Sequence, residues 1–241
     1  MTSRRITPTQ AQTNPAPRYV APLWHTAILM SVLLGLSLTG ARSGSLPGVK
    51  TYGRAGSYVL IMIVEWVTLA FIWYGVSRRG IGMLDLVGGS WARRVDVLRD
   101  LGIALGFLII CGIGVLNVLG YFLKAAPNEG MRQMFPQTRT EAVLWCIMSI
   151  TAGFCEEVTF RGYLQRQFTA LTKGATGGIV LQGLAFGAAH GYQGWKFMLL
   201  IAVYGSLFGL LARWRRSLRP GMIAHFLQDG MGGLLARHLM R

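Results

Sequence analysis

Acidic side chains are scarce in this sequence. Nine Asp and Glu stand against 24 Lys and Arg, a formal net charge of +15. Charged residues of both signs make up only 14%, where a water-soluble globular chain carries about 25%. With 52% hydrophobic residues, that shortfall excludes a disordered chain and argues against a water-soluble enzyme. Cysteine is also rare: Cys111, Cys146 and Cys155, with no CxxC pair. A disulfide framework and a thiolate zinc site are therefore without support, and the three thiols read as small apolar packing residues. HExxH is absent, so one helix does not offer the usual pair of zinc-binding histidines with a glutamate between them. No internal repeat is evident.

What the chain does have is long apolar runs. A membrane span needs about 20 residues, because a rise of ~1.5 Å per residue must cover a hydrocarbon layer of ~30 Å. The candidate runs are Leu23–Gly40, Tyr58–Val76, Leu101–Leu123, Glu141–Cys155, Ala175–His190, Phe197–Ala212 and Gly221–Ala236. The last four are short or interrupted by polar residues. The expected fold is all-α: a polytopic transmembrane bundle of about seven spans (six to eight), enclosing a polar intramembrane cavity. Residues 1–22, with Arg4, Arg5, Arg18 and four prolines, are expected to form a flexible cytosolic tail. Residues 23–241 form one membrane domain, with the chemically informative core at 141–236. The first run has no convincing small-residue cleavage site and more spans follow it, so it reads as an uncleaved span rather than a signal peptide.

Basic residues orient such a bundle, since Lys and Arg accumulate in cytoplasmic loops. With the N terminus inside, the inner segments hold Arg4, Arg5, Arg18, Arg78, Arg79, Arg93, Arg94, Arg99, Arg161, Arg166, Lys173, Arg213, Arg215, Arg216 and Arg219, the majority of all Lys and Arg. The positive charge is thus a topology signal, and nucleic acid is not needed to explain it. A multi-pass protein of the cell inner membrane, N terminus cytoplasmic, is expected. Glycines four apart (Gly102/Gly106, Gly205/Gly209 and Gly183/Gly187/Gly191) suit close helix packing in lipid.

Against this background the polar residues within apolar runs stand out, because each charged group costs at least ~2.5–3.5 kcal/mol to insert. They are Glu65, Glu156, Glu157, Asp229, His190 and His225. Glu157 and Arg161 are four apart with the acid first, the better helical order for an ion pair. Glu156 points about 100° away and stays free, which suits a general base. The same cluster also fits a salt bridge at the membrane edge. Phe186 and His190 share a helix face, with His190 a structural donor or a catalyst and Phe186 a packing residue. His225 and Asp229 are also four apart and read either as a buried polar lock or as donors to developing negative charge. Together, three successive segments offer a base for water and donors for an oxyanion around one wet cavity. Glu65 either lines that cavity or pairs with a basic group of a neighbouring span.

In this order, EEVTFR, FGAAH and HFLQD match the patterns EExxxR, FxxxH and Hxxx(N/D). The set resembles the CAAX protease and bacteriocin-processing (Abi) family of intramembrane proteases, over roughly residues 153–230. The resemblance implies a helical membrane fold with a conical cavity reachable from the membrane and the cytoplasm. It implies peptide-bond hydrolysis by glutamate-activated water. By position, Glu156 would be the base and His190 its partner in holding the water. His225 and Asp229 would stabilise the oxyanion, and Glu157 and Arg161 would support the site. The chain departs from the eukaryotic-type members at Asp229, where they carry asparagine. Ionised aspartate cannot donate a hydrogen bond, so Asp229 must either be protonated or orient His225.

The Glu, His and Asp side chains are plausible zinc ligand types, and the family has often been labelled metalloprotease. The picture it implies is nevertheless metal-free, and no cofactor is expected. The expected partners are a membrane-associated protein or peptide substrate and the lipid bilayer, with no nucleic acid. Two other functions fit the sequence: a non-catalytic immunity or scaffold protein of the same fold, and a transporter with an ionisable site at mid-membrane.

Overall fold

The structure is a computed structural model that describes residues 18–45 and 48–239. Most of the expected flexible tail, residues 1–17 with Arg4 and Arg5, lies outside the described residues. Among the described residues the fold is helical, without strands. Helices run in the order α1 (Leu23–Ser43), α2 (Val49–Ser77), the short α3 (Met83–Val87), α4 (Arg94–Leu123), the short α5 (Glu129–Met134), α6 (Arg139–Thr172), α7 (Ala175–Ala188), a 3-10 turn (Gly191–Gln193), α8 (Trp195–Arg215) and α9 (Arg219–Leu239).

Each expected apolar run falls on one of these helices, but they are not alike. Five (α1, α2, α4, α6 and α8) are long and apolar enough to cross a membrane. The 14 residues of α7 reach only about 21 Å at ~1.5 Å each, short of the ~30 Å layer. The helix ends before His190, and the chain turns through Gly191–Gln193 and Gly194, whose φ of 85° favours glycine. Helix α9 has 21 residues, but Arg219, His225, Gln228 and Asp229 along it lower its hydropathy.

Helix α6 illustrates how local sequence sets the frame. Thr138 and Glu141 form a capping box, the Thr138 hydroxyl accepting from Glu141 N at 3.1 Å and the Glu141 carboxylate accepting from Thr138 N at 3.0 Å. The helix then continues unbroken through a wider, π-helical stretch at Glu157–Leu164, a distortion often found at functional sites. A second such stretch, Leu108–Val115, lies within α4.

Polar side chains tie the helices together at both ends of the bundle. At the end that carries the arginine-rich loops, the Gln167 side chain accepts from Val20 N at 2.8 Å and donates to Ala21 O at 2.9 Å. Nearby, buried Asp100 accepts from Trp91 Nε1 at 2.9 Å and meets Arg215 at 3.2 Å and Arg219 at 3.3 Å. At the opposite end, Arg54 donates to Gln133 O at 2.7 Å, Asn128 to Tyr192 O at 3.0 Å and Lys196 to Lys124 O at 3.0 Å.

Glycines set two close approaches that matter for the site. On α7, a Cβ at Gly183 would lie 2.8 Å from Ala202 O, and one at Gly187 would lie 2.9 Å from Ala202 N. On α6, a Cβ at Gly153 would lie 2.9 Å from Met222 O and 3.0 Å from Phe226 N, so α6 and α9 touch backbone to backbone one turn before Glu157. The Gly102/Gly106 pair behaves otherwise: neither position has a neighbour within 4 Å. Helix α4 meets α8 and α9 through other small residues, Ala104 and Gly112, and leaves Ile109 and Ile110 exposed. Replacing Gly153 with valine is expected to lower stability by about 1–3 kcal/mol through overpacking, read as a fall in the thermal midpoint of detergent-solubilised protein. Gly102→Val is expected to leave that midpoint unchanged.

Candidate active site

The α6–α9 approach brings the two polar segments face to face. Glu157 and Arg161 are both fully buried as side chains and pair at 2.8 Å. The guanidinium is enclosed by aromatic rings, 4.3 Å from the Phe186 centroid and 4.9 Å from that of Phe208, a favourable cation–π setting. Arg161 also donates to Gly205 O on α8 at 3.2 Å. The carboxylate oxygen of Glu157 that meets Arg161 lies 3.1 Å from His225 Nδ1 on α9. A carboxylate only accepts, so Nδ1 carries the hydrogen, and the chain Arg161–Glu157–His225 fixes the ring as an orienting carboxylate does in other sites.

With Nδ1 committed, His225 turns Nε2 toward two further carboxyl groups. Glu156 Oε2 lies 3.6 Å away and Asp229 Oδ2 3.5 Å away. That Glu156 oxygen is buried without a hydrogen-bond partner. Glu156 is thus the spare carboxylate beside a paired one, the division that its 100° offset from Glu157 dictates. His190, in the turn after α7, places Nδ1 2.8 Å from Phe186 O. A carbonyl only accepts, so Nδ1 carries a hydrogen there too. In the neutral ring Nε2 keeps its lone pair.

Glu156, His190, His225 and Asp229 all border one cavity of about 1180 Å³. The lining includes Phe186 and Phe208 and, from the end of the bundle away from the arginine-rich loops, Tyr121, Lys124, Met134 and Gln193. Glu65 borders the cavity as well, from α2. Among the described residues no Lys, Arg or His pairs with it; its contact is the Thr151 hydroxyl at 2.8 Å. Phe186 packs, as its residue type suggests, and also does more: its ring covers Arg161 and its carbonyl holds His190.

Several site residues escape sequence reasoning. Trp145 donates from Nε1 to Asp229 O at 2.8 Å and so fixes the turn of α9 that carries Asp229. Tyr204 reaches the Gln228 side chain at 3.3 Å. Gln228 stands inside HFLQD and was visible there as a polar residue in an apolar run. Trp145 and Tyr204 carry no such signal, since aromatic residues are ordinary in a helical bundle. Among the described residues, no group of three or more His, Cys, Asp and Glu side chains is arranged to hold a metal ion, and no step below runs through one.

The site geometry coincides with a relationship in sequence. Residues 138–231 match the family model described as Rce1-like, type II CAAX prenyl endopeptidase. This agrees with the resemblance carried by EEVTFR, FGAAH and HFLQD. The Rce1-like segment starts at the α6 N-cap and ends just past Asp229, so it holds Glu156, Glu157, Arg161, Phe186, His190, His225 and Asp229. Glu65 lies outside it. No curated protein and no solved structure matches the chain.

Proposed function

We propose that this chain is an intramembrane endopeptidase of the CAAX prenyl protease type, hydrolysing a peptide bond with water activated by Glu156. The observation that carries the reading is the meeting of a partnerless Glu156 carboxylate oxygen with the oriented His225 ring, 3.6 Å apart at the cavity. In the proposed mechanism Glu156 takes a proton from the attacking water, and the His190 Nε2 lone pair holds the water's other hydrogen. His225, in its imidazolium form with a hydrogen on each ring nitrogen, donates from Nε2 to the carbonyl oxygen as negative charge develops. Asp229, 3.5 Å from Nε2, orients His225. These side chains supply the base and the oxyanion donor, and the substrate class is a membrane-associated protein or peptide. The test is terminal proteomics of membranes from cells making the intact protein or Glu156→Gln. New C termini that appear only with the intact protein support the reading and name the substrate. Identical sets of termini contradict it.

The location we propose is the cell inner membrane, with the arginine-rich end cytoplasmic. The cavity then extends to the extracytoplasmic end, whereas the family resemblance implies access from the membrane and the cytoplasm. Single cysteines separate the two arrangements in a chain whose native cysteines are replaced by alanine. Tyr52 is exposed near the cavity end and Arg93 at the arginine-rich end. Tyr52→Cys is expected to react with a membrane-impermeant maleimide in intact cells, and Arg93→Cys only after permeabilisation. The reverse pattern would place the cavity mouth in the cytoplasm.

A further inference from the structure

The motif residues leave one chemical role without a group of its own: among them it falls back on Glu156, once that carboxyl has taken the water's proton. Peptide hydrolysis needs a base for water and also an acid for the leaving amine, because an amide anion is not expelled. His225 has Nδ1 tied to Glu157, and His190 has Nδ1 tied to Phe186 O. All of these groups enter the cavity from α6, from α9 or from the turn after α7. The cavity is also lined from α2, which packs beside α6, and from α2 comes Glu65.

Glu65 sits near the middle of α2, 8% exposed, and borders the cavity together with Glu156. One of its oxygens, Oε1, is buried and has no hydrogen-bond partner. The other lies 2.8 Å from Thr151 Oγ1, which itself lies 2.9 Å from Met148 O. The threonine hydroxyl owns a single hydrogen. Directed at the Met148 carbonyl, it leaves Glu65 to supply the hydrogen of the Glu65–Thr151 contact, as a carboxylic acid does. A buried ionised carboxyl without a cation is the costly alternative.

The position is also right for a role opposite Glu156. Thr151 precedes Glu156 on α6 by about one and a half turns. Glu65 and Glu156 border the same cavity from two helices packed against each other.

We propose that Glu65 is a second catalytic carboxyl, the general acid that protonates the leaving amine. This rests on the hydrolase reading above. Glu156 removes one proton from water as its oxygen bonds to the substrate carbonyl carbon. The tetrahedral intermediate then collapses: the C–N bond breaks and its electron pair takes the proton of Glu65. The product acid keeps the water's other hydrogen. The proton on Glu156 passes back to Glu65, and the site is reset. The net change is one water consumed, one carboxylic acid and one amine formed.

The experiment compares four chains in cells at matched membrane levels: intact, Glu65→Gln, Thr151→Val and Glu156→Gln. It follows the rate at which Glu156-dependent termini appear after induction. Glutamine keeps the shape and hydrogen bonds of Glu65 and loses only the transferable proton. Glu65→Gln is therefore expected to slow the appearance of termini by ~100-fold or more, the usual scale of a lost acid–base group. Thr151→Val, which removes the polar contact but leaves the acid, is expected to stay within a few-fold of the intact chain. A fifth chain, Glu65→Asp, keeps an acid on a shorter stem and is expected to recover part of the rate. Full activity of Glu65→Gln with a dead Glu156→Gln overturns this proposal alone. Equal losses in Glu65→Gln and Thr151→Val, with no recovery in Glu65→Asp, also overturn it, because they mark a structural contact. Termini that do not depend on Glu156 at all overturn the hydrolase reading and this proposal with it.

Discussion

Arg161→Ala is expected to destabilise the fold by about 3–5 kcal/mol, because it leaves the Glu157 charge buried and uncompensated. Both side chains of the pair are fully buried at 2.8 Å, so solvent does not screen the loss. The alanine also vacates the space between the Phe186 and Phe208 rings. Thermal denaturation of the purified protein in detergent measures the effect. A double variant separates the two roles of the pair. Glu157→Gln with Arg161→Met removes both charges and keeps the volume, and such replacements of buried ion pairs are often neutral or stabilising. Most of the stability is expected to return while cleavage stays lost, since His225 no longer has a carboxylate to hold Nδ1. Full activity in the double variant would mean that the Arg161–Glu157–His225 chain does not position the ring.

Glu156→Gln is expected to give the opposite profile: unchanged stability and lost chemistry. The Glu156 side chain is 24% exposed in the cavity and makes no ion pair with Arg161. Glutamine fills the same space, so the thermal midpoint should move little. The base is gone, however, and general-base groups are worth about 10²–10⁴ in rate, roughly 2.7–5.5 kcal/mol of barrier. The neighbouring Glu157→Gln should do the reverse, harming stability first, because Glu157 is the acceptor shared by Arg161 and His225. Two adjacent glutamates with opposite variant profiles would be hard to reconcile with a purely structural cluster.

Much of this arrangement was legible in the sequence because it is local. The i,i+4 spacing of Glu157 with Arg161 and of His225 with Asp229 is fixed by helix geometry, and the structure places both pairs in contact. Apolar runs marked the helices for the same reason. What the sequence could not give is the meeting of helices. The Glu157–His225 contact joins residues 68 apart, and no spacing rule reaches across that distance. The π-helical stretch at Glu157–Leu164 packs chiefly against α7, α2 and α3, and no residue preference marked it. The run Ala175–His190 was long enough to suggest a span, yet the helix stops at Ala188, because the glycines after His190 let the chain turn. Glycine spacing was a good guide on α7, where Gly183 and Gly187 meet α8, and a poor one on α4, where Gly102 and Gly106 meet nothing. Spacing specifies a smooth face but not whether a neighbour arrives. Glu65 was conspicuous as an acid in an apolar run, but which of its two readings applied depended on what α6 set opposite it.

The claim on which the account rests is that Glu156 activates water and does not itself attack the substrate. Single-turnover cleavage in water enriched with oxygen-18, with enzyme in excess over the substrate identified by terminal proteomics, tests it most directly. The account predicts one labelled oxygen in the new C-terminal carboxyl group and none in the Glu156 carboxyl. An unlabelled product with label in Glu156 would contradict it, because that pattern requires a covalent acyl-glutamate.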